Sequence, residues 1–416
     1  MKKKTLLIPL ALLLVVSLIA IGCADGGVPD TPDTPDTPDT PDTPTEPEIL
    51  QLGAIINMTG FLGGIGSAEE EIREICVDLM NEMGGITVDG QQYLVEVISE
   101  DAESSLEGTG AAATRLVFDK GVKFLYSRSP FSVAAATVTE PAQVLRLTGW
   151  CNLVPGDVDA TTPYGFANVY GTIPSVVAMI KFVQANYPEV ERVAYIAPNH
   201  GLGEFYTPQA IELMEAAGIT VVGDPIYYPN DMIDFSPIAS KVLSLDDIDA
   251  VFQVNGINEH VGAILKGLRE GGCYVPFATN LQGRLDEVVA IAGVAAAENT
   301  FNTTPTYGDP DNPPLVQEIF QRVVDKYGED HVLFLKSAND LWIFKAVIEG
   351  AQSLDPTVVK EWWESIDELD TLLGTGIMCG EETYGIKHLL SQPISIQWVK
   401  DGQVVSGGWI DVGYIP

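Results

Sequence analysis

From Ile49 onward the chain alternates short apolar runs with stretches of helical periodicity, and that order restricts the fold more than any other feature. ILQLGAII (49–56) is almost wholly apolar and ends in a loop rich in Thr and Gly, the pattern of a parallel strand buried on both faces. Ser67 and Glu70 read as a capping box ahead of Ile72, Ile75, Cys76, Leu79 and Met83, which recur at helical spacing until Gly84-Gly85. Strands are expected next at LVEVISED (94–101), KFLYSR (123–128) and RLTGW (146–150), with helices at 105–119 and 132–143 between them. This order implies a doubly wound parallel sheet. A second series begins near Gly171, with helices at 172–186, 205–217 and 258–271. Its strands are RVAYIAPN (192–199), ITVVGDPIYY (219–228), AVFQVNG (250–256) and PFATN (276–280). Two such series in 416 residues suit two α/β lobes rather than one core. ISIQWVKDGQVV (394–405) reads as an antiparallel hairpin turning at Asp401-Gly402. Ligands of open α/β sheets sit beyond the carboxyl ends of the strands. The loops 57–67, 126–132, 150–157, 199–206, 255–259 and 279–285 are therefore the expected lining of a cleft.

Ahead of this body stands PDTPDTPDTPDTPDTPTEPE (29–48). Proline at every third position blocks helix and sheet and favours extended polyproline II. At about 3.1 Å per residue such a tether reaches roughly 75 Å. Before it come three lysines, an apolar run from Leu6 to Ile21 and Gly22-Cys23, the layout of an export signal. Ala20-Ile21-Gly22-Cys23 resembles the lipobox of bacterial lipoproteins, with Ala20 in place of the more usual Leu. The resemblance implies a signal at 1–22, cleavage before Cys23, and a diacylglycerol on its thiol, followed by a tether to residue 48. The competing reading is an uncleaved membrane anchor, for which Leu6–Ile21 falls short of the about 20 residues a spanning helix needs.

The formal net charge of −36 repels nucleic acid and anionic headgroups, which excludes a phosphate-tracking role. Cys76, Cys151, Cys273 and Cys379 form no CxxC pair, so a zinc ribbon is excluded and no metal site is expected. Two disulfides and four small buried thiols both remain open, although Cys76 falls on an apolar helix stripe. Catalysis also lacks its usual signatures. His200, His260, His331 and His388 make no HExxH pattern, and GxSxG, a P-loop and a GxGxxG after a strand are missing. GFLGGIG (60–66) has no Walker Lys. The chain is expected not to be an enzyme and to need no cofactor; a hydrolase or amidase is the minor alternative.

The order of motifs resembles one known family. LGAIINMTGFLGGIGSAEEEIREICVDLMNEMGGITVDGQQYLVEVISEDAES is similar to the first lobe of type I periplasmic binding proteins, in the branched-chain amino acid (leucine-binding protein-like) group that feeds ABC importers. The matching positions are Gly53, Thr59-Gly60, Gly66, Asn81, Gly84-Gly85-Ile86, Gly90 and Asp101. SRSPFSVAAATVTEPAQ, YIAPNHGLGEFYTPQA with Gly203, and the hairpin IQWVKDGQVV extend the similarity over about 49–416. It implies two doubly wound lobes joined by a three-crossover hinge, with the ligand in the hinge cleft. The expected division is 49–170 plus 304–356 for the first lobe and 171–303 plus 357–416 for the second. The implied function is an extracytoplasmic, lipid-anchored, monomeric substrate-binding protein. It would capture a small solute and deliver it to a permease with its ATPase. A sensor for a separate receptor or kinase is the alternative. Because no transmembrane helix or signalling domain follows Pro416, such a sensor would need a partner chain.

By this resemblance Ser132 or Pro130, Asn152, and the backbone of Trp150 and Cys151 hold the ligand carboxylate. Aromatics that cover an amino acid fall where this chain has Ile65, Leu202 and Ile257. The carboxylate that pairs the ligand ammonium falls near Leu281 and Gln282. An ammonium would there lose a charge-assisted contact, which makes an apolar organic acid, aromatic if Trp150 stacks on it, the expected ligand over leucine.

The residues themselves add further candidates. Arg128 ends an apolar strand, where a guanidinium can clamp a carboxylate bidentately; a surface arginine or an internal ion pair is the competing reading. Arg284, His200 and Glu204 lie in expected cleft loops, with solvated side chains as their alternative. Asp340 follows Asn339 where the family often has Tyr-Asp, and a helix-cap carboxylate competes.

Overall fold

The computed structural model describes residues 47–149, 153–154, 156–169, 171–199, 201–280, 284–304, 308–328 and 336–415. The expected signal, Cys23 and all but the last two tether residues lie outside them, as do Trp150, Cys151, Asn152, His200, Leu281 and Gln282. The body opens with β1 (Glu48–Ile56), α1 (Gly63–Glu82), β2 (Ile86–Val88), β3 (Gln91–Asp101) and α2 (Leu106–Thr114), which runs into a π-helical turn at Arg115–Asp119. There follow β4 (Phe124–Ser127), α3 (Val133–Ala142), β5 (Leu145–Thr148) and β6 (Gly165–Val169). The chain then makes α4 (Thr172–Asn186), β7 (Arg192–Pro198), α5 (Gly201–Ala216), β8 (Thr220–Val221), β9 (Ile226–Tyr228) and α6 (Ser236–Leu243). Next come β10 (Ala250–Gln253), α7 (Asn258–Glu270), β11 (Phe277–Thr279), α8 (Leu285–Ala292), α9 (Val294–Ala297) and β12 (Thr300–Asn302). The last part holds α10 (Pro314–Tyr327), α11 (Lys336–Ala351), α12 (Pro356–Ser365), β13 (Glu368–Thr371), β14 (Gly374–Cys379), α13 (Glu381–Tyr384), β15 (Leu389–Ser391), β16 (Ile394–Lys400) and β17 (Gln403–Ile410).

These strands form two sheets. The first runs β13-β14-β15-β6-β5-β4-β1-β3-β2 and the second β17-β16-β12-β11-β10-β7-β8, with β9 also paired to β7. Both have parallel centres; the first is antiparallel at both edges, the second only at the β16-β17 edge, its β8 and β9 pairing parallel to β7. Each is covered on both faces, as parallel strands require. Ile72, Cys76, Val316, Leu341 and Trp363 cover one face of the first sheet, while Ala112, Leu116 and Ala135 cover the other. On the second sheet Val176, Met179 and Met214 lie on one face, and Ile238, Ile264 and Leu285 on the other.

The chain passes between the sheets three times: from β6 into α4, from β12 toward α10, and from β15 into β16. The third passage lies later than expected. A boundary at 357 puts β13, β14 and β15 with the second lobe, yet they hydrogen-bond into the first sheet, β15 running parallel to β6. Packing accounts for this. Phe166 of β6 is sandwiched between Trp363 (ring centroids 4.0 Å apart) and His388 (3.8 Å), which draws α12 and β15 onto the first sheet.

The expected capping box is absent. Helix α1 starts a turn earlier, after Leu62, and Ser67 lies inside it with its hydroxyl donating to the Gly63 carbonyl at 2.9 Å. Glu70 pairs with Arg73 instead. The hairpin turn at Asp401-Gly402 is as expected, with φ of 52° and 76°, the twist that joins β16 to β17. Cys76, Cys273 and Cys379 are free thiols, and burial pushes the thiols of Cys76 and Cys379 up. Among the described residues no helix is long and apolar enough to cross a membrane.

Candidate functional site

The carboxyl ends of β1, β3, β4 and β5 meet at one edge of the first sheet. The Gly-rich loop after β1 is fastened there by β3. Asp101 accepts from the amides of Met58 (3.0 Å) and Thr59 (3.2 Å) and from the Thr59 hydroxyl (2.6 Å). The Ser104 hydroxyl donates to the Thr59 carbonyl at 2.6 Å and accepts from the Leu62 amide at 3.1 Å. Gly66 is required by space, because a Cβ would come 2.0 Å from the Asn57 carbonyl oxygen. Ile65 is half-buried in this loop and Phe61 is exposed.

Arg128 follows β4 and is 3% exposed. Its Nε donates to Glu69 Oε1 at 3.0 Å, its NH2 lies 2.9 Å from the same oxygen, and its NH1 lies 3.6 Å from Asp340 Oδ2 and donates to the Gly149 carbonyl. This is the internal ion pair that competes with the ligand-clamp reading: the carboxylates Arg128 meets belong to the protein. Both acids are fully buried, Glu69 on α1 and Asp340 on α11. Burial pushes Glu69 up against the pull of Arg128. Burial likewise raises Asp340 to about 6, opposed by Arg128 and by Asn168, whose side-chain amide donates to Asp340 Oδ1 at 3.0 Å. Asp340 is therefore not a helix cap. It packs so closely that a Cβ on Gly149 would fall 2.2 Å from its Oδ2. Its neighbour Asn339 donates to Gln392 Oε1 at 2.9 Å, so this pair on α11 braces the first passage through Asn168 and the third through Gln392.

Ser132 joins a second buried network. Arg146, fully buried on β5, lies 2.7 Å from Asp157 Oδ1 and donates to Thr148 Oγ1 at 2.5 Å and Ser132 Oγ at 3.1 Å. The Ser132 and Thr148 hydroxyls are 2.9 Å apart. The sequence reading missed Arg146, Asp157 and Glu69. A charge inside the apolar strand LRLT was the available signal for Arg146, since a buried guanidinium needs an acid beside it. The signal for Glu69 was the helix phase, since it stands three residues before Ile72 and seven before Cys76, on the apolar stripe.

The buried side chains described at the corresponding edge of the second sheet are polar but uncharged, with Arg284, Asp286 and Glu204 outside them. Asn255, with φ of 57°, accepts from the Thr172 hydroxyl at its Oδ1 (2.8 Å), and its backbone N–H donates to Asn280 Oδ1 at 2.6 Å. Gln253 Nε2 donates to the Tyr228 hydroxyl at 2.9 Å, and Asn302 Nδ2 to Thr304 Oγ1 at 2.5 Å. His260, edge-on to Tyr228, is held below its ordinary pKa by burial. Ile257 and Phe205 are exposed on this side, and Leu202 lies in the first turn of α5. Arg284 pairs with Asp286 at 2.8 Å, and Glu204 is exposed. Tyr206 reaches across to the loop after β5, its hydroxyl donating to the Leu153 carbonyl at 2.9 Å. Among the described residues no His, Cys, Asp and Glu cluster has the arrangement of a metal site.

Residues 50–403 match the family model described as periplasmic binding protein. A leucine-binding protein from Thermotoga maritima has 19% identity and a TM-score of 0.63, covering 87% of this chain and 99% of its own. A branched-chain amino acid transporter substrate-binding protein from Streptococcus pneumoniae, in complex with isoleucine, has 17% identity and a TM-score of 0.63 over 87% and 99% of the two chains. A solute-binding protein of an ABC transporter from Rhodopseudomonas palustris, in complex with 3,4-dihydroxybenzoic acid, has 16% identity and a TM-score of 0.63 over 88% and 98%.

Proposed function

The chain belongs to the periplasmic binding protein family, and from that premise we propose that it captures a small organic carboxylate between two lobes and passes it to an ABC importer. The carrying observation is that the buried side chains described at the second-sheet edge are all neutral. An α-ammonium needs a carboxylate at that edge, whereas Asn255, Asn280, Thr279 and Asn302 supply amides and hydroxyls. Exposed Phe61, Phe205 and Ile257, with half-buried Ile65, offer an apolar rim to the body of such a ligand. Ser132, Asn152, Leu202, Gln282 and the backbone of Trp150 and Cys151 remain the proposed contacts. Arg128 acts in this reading as a positioning residue, holding the Gly149 carbonyl next to Trp150. The structural relatives include one with isoleucine and one with an aromatic acid, so both ligand classes suit this fold.

A calorimetric screen of aliphatic and aromatic carboxylates against leucine, isoleucine and valine tests the ligand class. The acids should bind at least tenfold more tightly than the amino acids, about 1.4 kcal/mol. Tight binding of leucine with no affinity for simple acids returns the protein to the amino-acid group. Two lobes that touch the ligand only when closed should also give a smaller scattering radius at saturation.

The proposed location is the outer side of a membrane, held by lipid on Cys23 with the Pro-rich tether as spacer. Stable anchoring takes more than one acyl chain. Mass spectrometry of the mature N-terminus should find an acylated Cys23, and Cys23→Ala should leave the signal uncleaved. An intact Met1 in the membrane fraction points to the uncleaved anchor instead.

A further inference from the structure

We propose that Gln253, Thr279 and Asn302 form a hydroxyl-binding row, and that the ligand presents an alcohol or phenol to the second lobe. This rests on the carboxylate reading above and adds what lies at the ligand's other end. Each residue is the last of its strand, β10, β11 and β12. The strands are parallel neighbours in register, Gln253 opposite Thr279 and Thr279 opposite Asn302. Residues paired in this way point to the same face, roughly 4.8 Å apart. All three are fully buried. Each keeps one oxygen without a hydrogen-bond partner: Gln253 Oε1, Thr279 Oγ1 and Asn302 Oδ1.

Buried polar atoms are almost always satisfied, and three unsatisfied ones side by side mark a place that something else fills. The other ends of the two amides are taken, Gln253 Nε2 by Tyr228 and Asn302 Nδ2 by Thr304. The neighbouring Asn255 adds a buried Nδ2 that also lacks a partner. A hydroxyl both donates and accepts, so it meets the row whichever way the amides are turned. An ammonium would find acceptors in these oxygens but no counter-charge among the three, and desolvating it among neutral groups is costly. The row also adjoins the hinge side of the edge, since Asn255 is tied to Thr172 at the start of α4 and Asn302 precedes the second passage.

The test compares benzoate with 4-hydroxybenzoate, and 3-phenylpropionate with 3-(4-hydroxyphenyl)propionate, by calorimetry on the full-length protein in detergent. The hydroxylated member of at least one pair should bind at least tenfold more tightly. Thr279→Val and Gln253→Met, which keep side-chain volume, should each erase that ratio. Equal binding of both members overturns the row and leaves the carboxylate reading standing. So does an equal loss of both members in variants whose thermal midpoint is unchanged. Binding of neither acid, by protein that still binds an amino acid, overturns the carboxylate reading and this inference with it.

Discussion

Replacing Arg128 with alanine should destabilise the protein by about 3–5 kcal/mol, the usual cost of stripping one partner from a buried ion pair. Glu69 and Asp340 are both out of contact with water, and their shared counter-charge is the Arg128 guanidinium. Without it two buried carboxyls face each other, and the Gly149 carbonyl loses its donor. Urea denaturation at neutral pH reads the loss directly. Adding Glu69→Gln and Asp340→Asn to the Arg128→Ala chain should recover much of it, because the remaining groups are then neutral. If Arg128 were a ligand clamp, the same substitution would lower affinity and leave the denaturation midpoint in place. Stability unchanged in Arg128→Ala, with binding abolished, would therefore overturn the internal pair.

The fold was largely legible because its strands carry their own signals. ILQLGAII reads as a buried parallel strand and forms β1, buried from Leu52 onward with Ile49 and Gln51 exposed, and 172–186 is a helix with the expected bounds. Legibility failed where long-range contacts decide. Ser67 with Glu70 satisfies a local capping rule, yet Asp101 and Ser104 fix the preceding loop from 42 residues away and let the helix begin earlier. The segment from 357 to 391 carries no local mark of which sheet it joins; the stack of Trp363, Phe166 and His388 settles that. The same limit applies to the site. Arg128 was visible as a cation ending an apolar strand, but whether its acid is a ligand or a side chain depends on α1 and α11, remote in sequence. The row of Gln253, Thr279 and Asn302 exists only once three strands are in register.

Asp340 should make stability fall as the pH rises from about 4 to about 7. Its carboxyl titrates at about 6 in the folded chain, pushed up by burial. In the unfolded chain an aspartate titrates at about 3.9. Between these values the folded state holds a proton that the unfolded state has released. Stability therefore declines with pH there, is fully present below about 4, and is lost as pH passes through about 6. A shift of about two units corresponds to something on the order of 3 kcal/mol. Glu69, also raised by burial, acts in the same direction, whereas Asp101, lowered by its hydrogen bonds despite some burial, contributes stability that is lost as the pH falls. Asp340→Asn separates these contributions. It keeps the side-chain shape against Gly149 and leaves an oxygen that can accept from Asn168, but it has nothing to ionise. Denaturation midpoints of the variant should lose most of the decline between about pH 4 and 7 that the unmodified chain shows. An identical slope in both proteins would mean that Asp340 is ionised throughout, with its charge wholly balanced by Arg128.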